Sequence, residues 1–277
     1  MRPIVDKTLF RIYNLLSDDT LPSTKQKNME KTGMNSGFKT EKRNLVAFFI
    51  ATSVILLVSS MFLGYYAAYG DILFSILQNK KTKIEMYNEM NVTATKGITV
   101  FYGDSLTEFY DTSSAFPFPS HNRGISGDTT QGMIERIEGN LLSLKPSRVV
   151  FLGGTNDLNR GVMPEQIAEN IGIIVEKIRA DLPDCEIFVQ SLYPVNPYTS
   201  PVYLNSVADR KNEDIQKVNA LLAPLCDSLG CTYIDVHDAL ADEKGNLRKD
   251  LTMDGLHVNE SGYAIVTKTL WEYLCRQ

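Results

Sequence analysis

Ile98-Thr99-Val100-Phe101-Tyr102-Gly103-Asp104-Ser105-Leu106 is the stretch on which the fold turns. Its β-branched and aromatic run is too short for a helix and is cut off by Gly-Asp-Ser, residue types that favour turns and helix caps. The run therefore reads as a strand, Ile98 to Tyr102, and Ser105 stands between its carboxyl end and the start of a helix.

Working outward, similar short apolar runs recur at Arg148-Leu152, Glu186-Leu192 and Thr232-Val236, with a weaker one near His121. Segments of helical period separate them. One opens at Pro164, places Ile167, Ile171, Ile174, Ile178 and Leu182 on one stripe, and is stopped by Pro183. Another runs from Asp209 to Leu229 and closes at Gly230, a last one runs from Glu260 to Cys275, and a first helix covers Lys83 to Met90. Strand and helix in repeated alternation predict an α/β fold, a doubly wound parallel sheet of five strands with helices on both faces. In such a sheet the loops beyond the carboxyl ends of the strands build the site. Gly103-Asp104-Ser105, Gly153-Gly154-Thr155-Asn156-Asp157 and Asp254-Gly255-Leu256-His257 should thus meet.

Upstream, residues 44–70 are 27 consecutive uncharged residues dominated by Leu, Val, Ile, Phe and Ala, long enough to span a bilayer. Tyr65, Tyr66 and Tyr69 cluster at one end, as interfacial aromatics do. A cleaved signal peptide is the rival reading, but its apolar region is normally shorter and nearer the N-terminus. Residues 1–43 carry nine Lys/Arg against five Asp/Glu, a net +4, which leaves −9 for the remainder of a chain whose total is −5. The positive-inside rule places this tail in the cytoplasm and the rest outside. The expected organisation is a disordered cytoplasmic tail 1–43, a transmembrane signal anchor 44–70, a juxtamembrane stalk and first helix 71–95, and a catalytic domain 96–277. The acidic globular part argues against a nucleic-acid partner, since phosphate binding needs clustered Lys/Arg. Cys185, Cys226, Cys231 and Cys275 all fall in the outer part, where disulfides can persist, but their pairing is not legible and they have no zinc-type spacing.

A serine hydroxyl becomes a nucleophile when a base takes its proton and donors stabilise the oxyanion its attack creates. Ser105 has the position for this, although an N-capping serine would suit the same place. Of the three histidines, His257 has Asp254 three residues before it, so one turn could let the carboxylate hold Nδ1-H while Nε2 faces the serine. His237, between Asp235 and Asp238, is the competitor, and His121 reads as packing or surface. Asn156 in its Gly-rich loop could simply make a turn. Asp104, Asp128 and Asp157 read as acceptors that brace loops.

Four blocks carry a family resemblance: Gly103-Asp104-Ser105-Leu106-Thr107-Glu108, Asn122-Arg123-Gly124-Ile125-Ser126-Gly127-Asp128-Thr129-Thr130, Gly153-Gly154-Thr155-Asn156-Asp157 and Asp254-Gly255-Leu256-His257. In order, they resemble the GDSL or SGNH hydrolase superfamily, and the chain looks closest to the branch with bacterial GDSL esterases and the catalytic subunits of intracellular platelet-activating-factor acetylhydrolase. The resemblance covers about Ile98 to the C-terminus. It implies a flavodoxin-like three-layer α/β/α sandwich and ester hydrolysis through an acyl-enzyme. It also implies Ser105 as nucleophile, His257 as base and then acid, Asp254 as its orienter, and an oxyanion hole from the N-H groups of Ser105 and Gly127 with the side-chain amide of Asn156. Two departures stand out. Val258 follows the motif histidine where the family often has Pro, which leaves the stiffness of that turn open, and Thr107 denies Ser105 the Gly-x-Ser-x-Gly elbow of α/β-hydrolases.

The expectation is a membrane-anchored extracytoplasmic serine esterase acting on short acyl or O-acetyl groups of a small-molecule, glycan or lipid ester, with no cofactor or metal implied. An O-acyltransferase with the same triad, or an inactive surface binding protein, are the alternatives. Two aromatic, Pro-rich loops, Phe109 to Pro119 and Tyr193 to Tyr198, could accept an acyl chain or stack on a sugar, or could be buried bracing.

Overall fold

A computed structural model describes residues 34–199 and 204–275, so most of the expected tail lies outside the described residues. The chain divides into two compact units, Met1–Leu73 and Phe74–Gln277. A helix, α1, runs Met34–Thr93. In the first unit its segment Asn44–Tyr65 has a mean hydropathy of 2.4 and, among the described residues, is the one helix long and apolar enough to cross a membrane. Its large apolar side chains are exposed along the whole segment, Leu56 by 70% and Leu63 by 73%. The sequence suggested a separate helix from Lys83 to Met90, but those residues are the last turns of α1. Gly70 alone, at a cost of about 1 kcal/mol, does not stop a segment otherwise rich in helix formers.

The second unit is a five-stranded parallel sheet, β1 Thr99–Gly103, β2 Ser120–Gly124, β3 Arg148–Leu152, β4 Glu186–Gln190 and β5 Thr232–Ile234, in the order β2-β1-β3-β4-β5. After β1 the chain adds β2 on one side and then crosses to add β3 on the other. This reversal opens a crevice between the carboxyl ends of β1 and β3, the place where doubly wound sheets put their sites.

Alternation along each strand feeds two cores. Val100, Tyr102, Val149, Phe151, Ile187 and Val189 pack with three helices, α4 Thr130–Asn140, α6 Pro164–Asp181 and α8 Asn212–Leu229, once the short α2 Ser105–Glu108, α3 Thr112–Ala115, α5 Thr155–Leu158 and α7 Leu204–Val207 are counted in chain order. Phe101, Val150, Leu152, Phe188 and Ile234 face the other way, against α10 Glu260–Leu274, which follows the short α9 His237–Leu240. The isoleucine stripe read from the sequence is fully core: Ile167, Ile171, Ile174 and Ile178 are each at most 1% exposed.

The weak strand near His121 forms β2, the polar edge Ser-His-Asn-Arg-Gly. Its partners compensate for its composition. The Asn122 amide donates to the carbonyls of Thr107 and Tyr110, and Arg123 lies 4.8 Å over the Tyr87 ring of α1 while donating to Asn91 Oδ1. All four cysteines are free thiols.

Candidate active site

Strand β1 is buried throughout and ends in Gly103; Asp104 then caps α2 by accepting the Leu106 N-H at 2.9 Å. Ser105 is the first residue of α2, and its side chain is turned toward His257, whose Nε2 lies 3.0 Å from the serine Oγ. His257 Nδ1 lies 2.7 Å from Asp254 Oδ2, and Asp254 Oδ1 accepts the N-H groups of Leu256 and His257 at 2.9 and 2.8 Å. Asp254 is therefore fully engaged. Burial alone would raise its pKa, but the hydrogen bonds from the His257 ring and from the Leu256 and His257 backbone outweigh it and hold the carboxyl below its ordinary range. His257 is only partly covered, with a side chain 31% exposed, so the ring is open to an incoming molecule.

The turn carrying the pair is stiff although Val258 replaces the proline of the family pattern. Val258 pairs with Thr252 in an antiparallel bridge, Thr252 Oγ1 donates to the His257 carbonyl at 2.7 Å, and the same Oγ1 accepts the Gly255 N-H at 2.9 Å. Gly255 itself has φ +83°, and a Cβ there would run into the Asn196 carbonyl oxygen, so two independent reasons require glycine.

On the other side of the crevice, Gly127 takes φ +73° in the loop after β2. Among the described residues, neither its N-H nor that of Ser105 donates a hydrogen bond, which leaves both available. Asn156, in α5 after β3, donates one amide N-H to the Asp128 carbonyl at 2.9 Å and retains a second. Arg210, 8% exposed, fixes that amide from behind: its Nη2 donates to Asn156 Oδ1 at 2.8 Å and its Nε to the Thr155 carbonyl at 3.0 Å. Sequence reasoning missed Arg210, which lies 54 residues from Asn156 and just before α8, where the sequence placed the first turn of that helix.

Asp128 and Asp157 brace loops. Asp157 accepts the Thr130 N-H and hydroxyl, and Asp128 accepts Arg136 Nε at 2.6 Å. Asp104 is wholly buried, one of its oxygens lacks a hydrogen-bond partner, and burial pushes its pKa up to about 7. The competing His237 is buried elsewhere, its Nδ1 3.1 Å from Asp238 and its backbone N-H on Ser191 Oγ. His121 bonds the Thr95 carbonyl at 2.9 Å.

Of the aromatics in the first loop, Tyr110 and Phe116 are core and Phe118 is half-buried: Tyr110 stacks on Tyr263 at 5.0 Å, and Phe116 stacks on Phe101 at 5.5 Å. Phe109 is the exception, 54% exposed with its ring 5.3 Å from that of His257. In the second loop Tyr193 is buried and Tyr198 is 71% exposed. Among the described residues no cluster of three or more His, Cys, Asp or Glu could hold a metal ion.

Residues 101–265 match the GDSL-like Lipase/Acylhydrolase family. Platelet-activating factor acetylhydrolase IB subunit alpha1 of Pongo abelii is 30% identical over 184 residues, 64% of this chain and 75% of the relative. A Streptococcus pneumonia structure described as a platelet activating factor is 29% identical, with a TM-score of 0.70 over 75% of this chain and 98% of that one. An acetyl-xylooligosaccharide esterase from Geobacillus shares the fold at 15% identity, with a TM-score of 0.54 over 66% of this chain and 96% of its own.

Proposed function

The chain belongs to the GDSL-like lipase/acylhydrolase family and is a carboxylic-ester hydrolase, and on that premise we propose that Ser105 is its nucleophile, His257 its acid-base and Asp254 the orienter of His257. The observation that carries this reading is the continuous hydrogen-bonded relay Ser105 Oγ, His257 Nε2, His257 Nδ1, Asp254 Oδ2, at 3.0 and 2.7 Å. In the first half-reaction the serine oxygen attacks the ester carbonyl as its proton passes to His257, and Asp254 stabilises the imidazolium. The Ser105 and Gly127 N-H groups and the free amide hydrogen of Asn156 receive the negative charge on the former carbonyl oxygen. His257 then protonates the departing alcohol, and a water activated by the same imidazole releases the acid.

The acyl group is short, acetyl or close to it. The 30% identical relative is an acetylhydrolase by description, which supports this size. The protein is tethered through residues 44–70 with its N-terminus cytoplasmic and its catalytic domain outside, where O-acetyl groups on surface glycans would be within reach. The uncharged length of that segment and the basic residues before it support the arrangement. Comparison of p-nitrophenyl acetate with p-nitrophenyl palmitate tests the substrate class. We expect kcat/KM at least about tenfold higher for the acetate, since a pocket discriminates by roughly 10-fold or more per misfitting group. Preference for the long chain would refute the short-acyl reading.

A further inference from the structure

The loop that presents Gly127 is gripped from two sides by side chains of α1, a helix that lies wholly before the family match at residue 101. Lys83 pairs with Glu108 Oε1, and the other oxygen of Glu108 accepts both the Ser126 N-H at 2.6 Å and the Ser126 hydroxyl at 2.9 Å. One turn away Lys80 pairs with Asp128 Oδ1 at 2.6 Å, while Arg136 holds the other oxygen of that carboxylate and the Asp128 carbonyl holds the Asn156 amide. Residues 126 and 128, the neighbours of Gly127, are thus each tied to one lysine.

The packing reserves space for this. Gly132, in the first turn of α4, is a costly residue for a helix, yet a Cβ there would strike both Asp128 Oδ1 and Lys80 Nζ. Burial alone would raise the Glu108 carboxyl, but the bonds from Lys83 and Ser126 outweigh it and keep it low. The Asp128 side chain is fully buried, and those of Lys80, Lys83 and Glu108 are 18 to 24% exposed, so water screens these pairs far less than it does a surface pair.

We propose that Lys80 and Lys83 are positioning residues for the oxyanion hole: through Asp128 and Glu108 they fix the loop that carries Gly127 and the acceptor that orients Asn156. This inference rests on the assignment of Gly127 and Asn156 as oxyanion donors. A hole acts only if its donors stand where the charge will develop, and a shift of about 1 Å can cost on the order of 100-fold in rate. Release of the loop would therefore lower kcat and leave ground-state binding almost untouched.

The full-length chain in detergent, with p-nitrophenyl acetate as substrate, provides the test. Lys80→Met and Lys83→Met should each lower kcat roughly tenfold, and the double variant roughly a hundredfold, with KM within about twofold of wild type. Lys80→Arg and Lys83→Arg, which keep the charge, should recover most of the loss. If the double variant fails to fold, the two single variants decide by the same split. Wild-type kcat in the folded Met variants, or Arg variants as slow as the Met ones, would overturn the proposal. So would a raised KM at unchanged kcat, which would mean that the lysines meet substrate in the cleft of about 200 Å³ they line with Ser126 and Gly127. Ser105→Ala and Asn156→Ala run alongside. Wild-type rates in either would bring down the site assignment, whereas strongly slowed controls beside unaffected lysine variants would bring down the brace alone.

Discussion

Asp104 stands beside the serine with a buried carboxyl whose pKa lies near 7, raised first by loss of hydration and then by the nearby Asp128 and Asp157, against the lowering effects of the Leu106 N-H and Arg210. A carboxyl raised in the folded state favours folding most while it is protonated. Stability is therefore greatest below the unfolded value near 3.8 and falls as pH rises through about 7. Melting temperatures of wild type should decline between pH 5 and 7.5, and Asp104→Asn, which keeps the cap to Leu106 without a titrating group, should flatten that decline. Equal slopes would show that Asp104 ionises normally. Asn156→Ala removes a proposed oxyanion donor and should cost about 2.7–4 kcal/mol in the transition state, read as a 100- to 1000-fold fall in kcat. Arg210→Met should lower kcat in the same direction, by roughly tenfold, because Asn156 Oδ1 loses the guanidinium that orients it. The pairing of Asp254 with His257 was legible in the sequence because they lie three positions apart and one turn suffices to join them. Arg210 was not, because nothing local ties it to Asn156.

At the level of elements, β1, β3 and β4 declared themselves by apolar runs that are buried on both faces, as central parallel strands require. β2 did so only faintly, since Asn122 and Arg123 owe their places to Thr107, Tyr110, Tyr87 and Asn91, contacts that no sequence window contains. The helix expected from Asp209 begins at Asn212 instead: Ala208 at φ +48° breaks the path, and Arg210 turns inward to the Thr155 and Val207 carbonyls. α4 was not outlined because its apolar stripe is short, Met133 and Ile137 running into Leu141, and is interrupted on the buried face by Arg136 and Asn140. The turn before α10 carries the sharpest backbone constraint. Gly255→Ala would face both a left-handed φ and a collision with the Asn196 carbonyl, so a loss of more than about 2 kcal/mol is expected in denaturant unfolding. A loss under about 0.5 kcal/mol, the range of neutral surface changes, would mean that the turn adapts freely.

For the molecule as a whole, charge and hydropathy order the chain: residues 1–43 are net basic, residues 44–70 are uncharged and the remainder is net acidic. With the proposed orientation, protease added to intact cells should clip the catalytic domain, and full protection would invert the topology. The family pattern made the four motif blocks legible in order, whereas the contribution of α1 to the site was hidden because it precedes every motif. The central claim is that Ser105 forms the acyl-enzyme, and the most direct measurement is p-nitrophenyl acetate hydrolysis by the full-length chain and by Ser105→Ala, each confirmed folded by its melting curve. Loss of a triad nucleophile costs up to about 10⁶ in kcat, so the variant should fall to the background rate. Hydrolysis by Ser105→Ala at the wild-type rate would contradict the account.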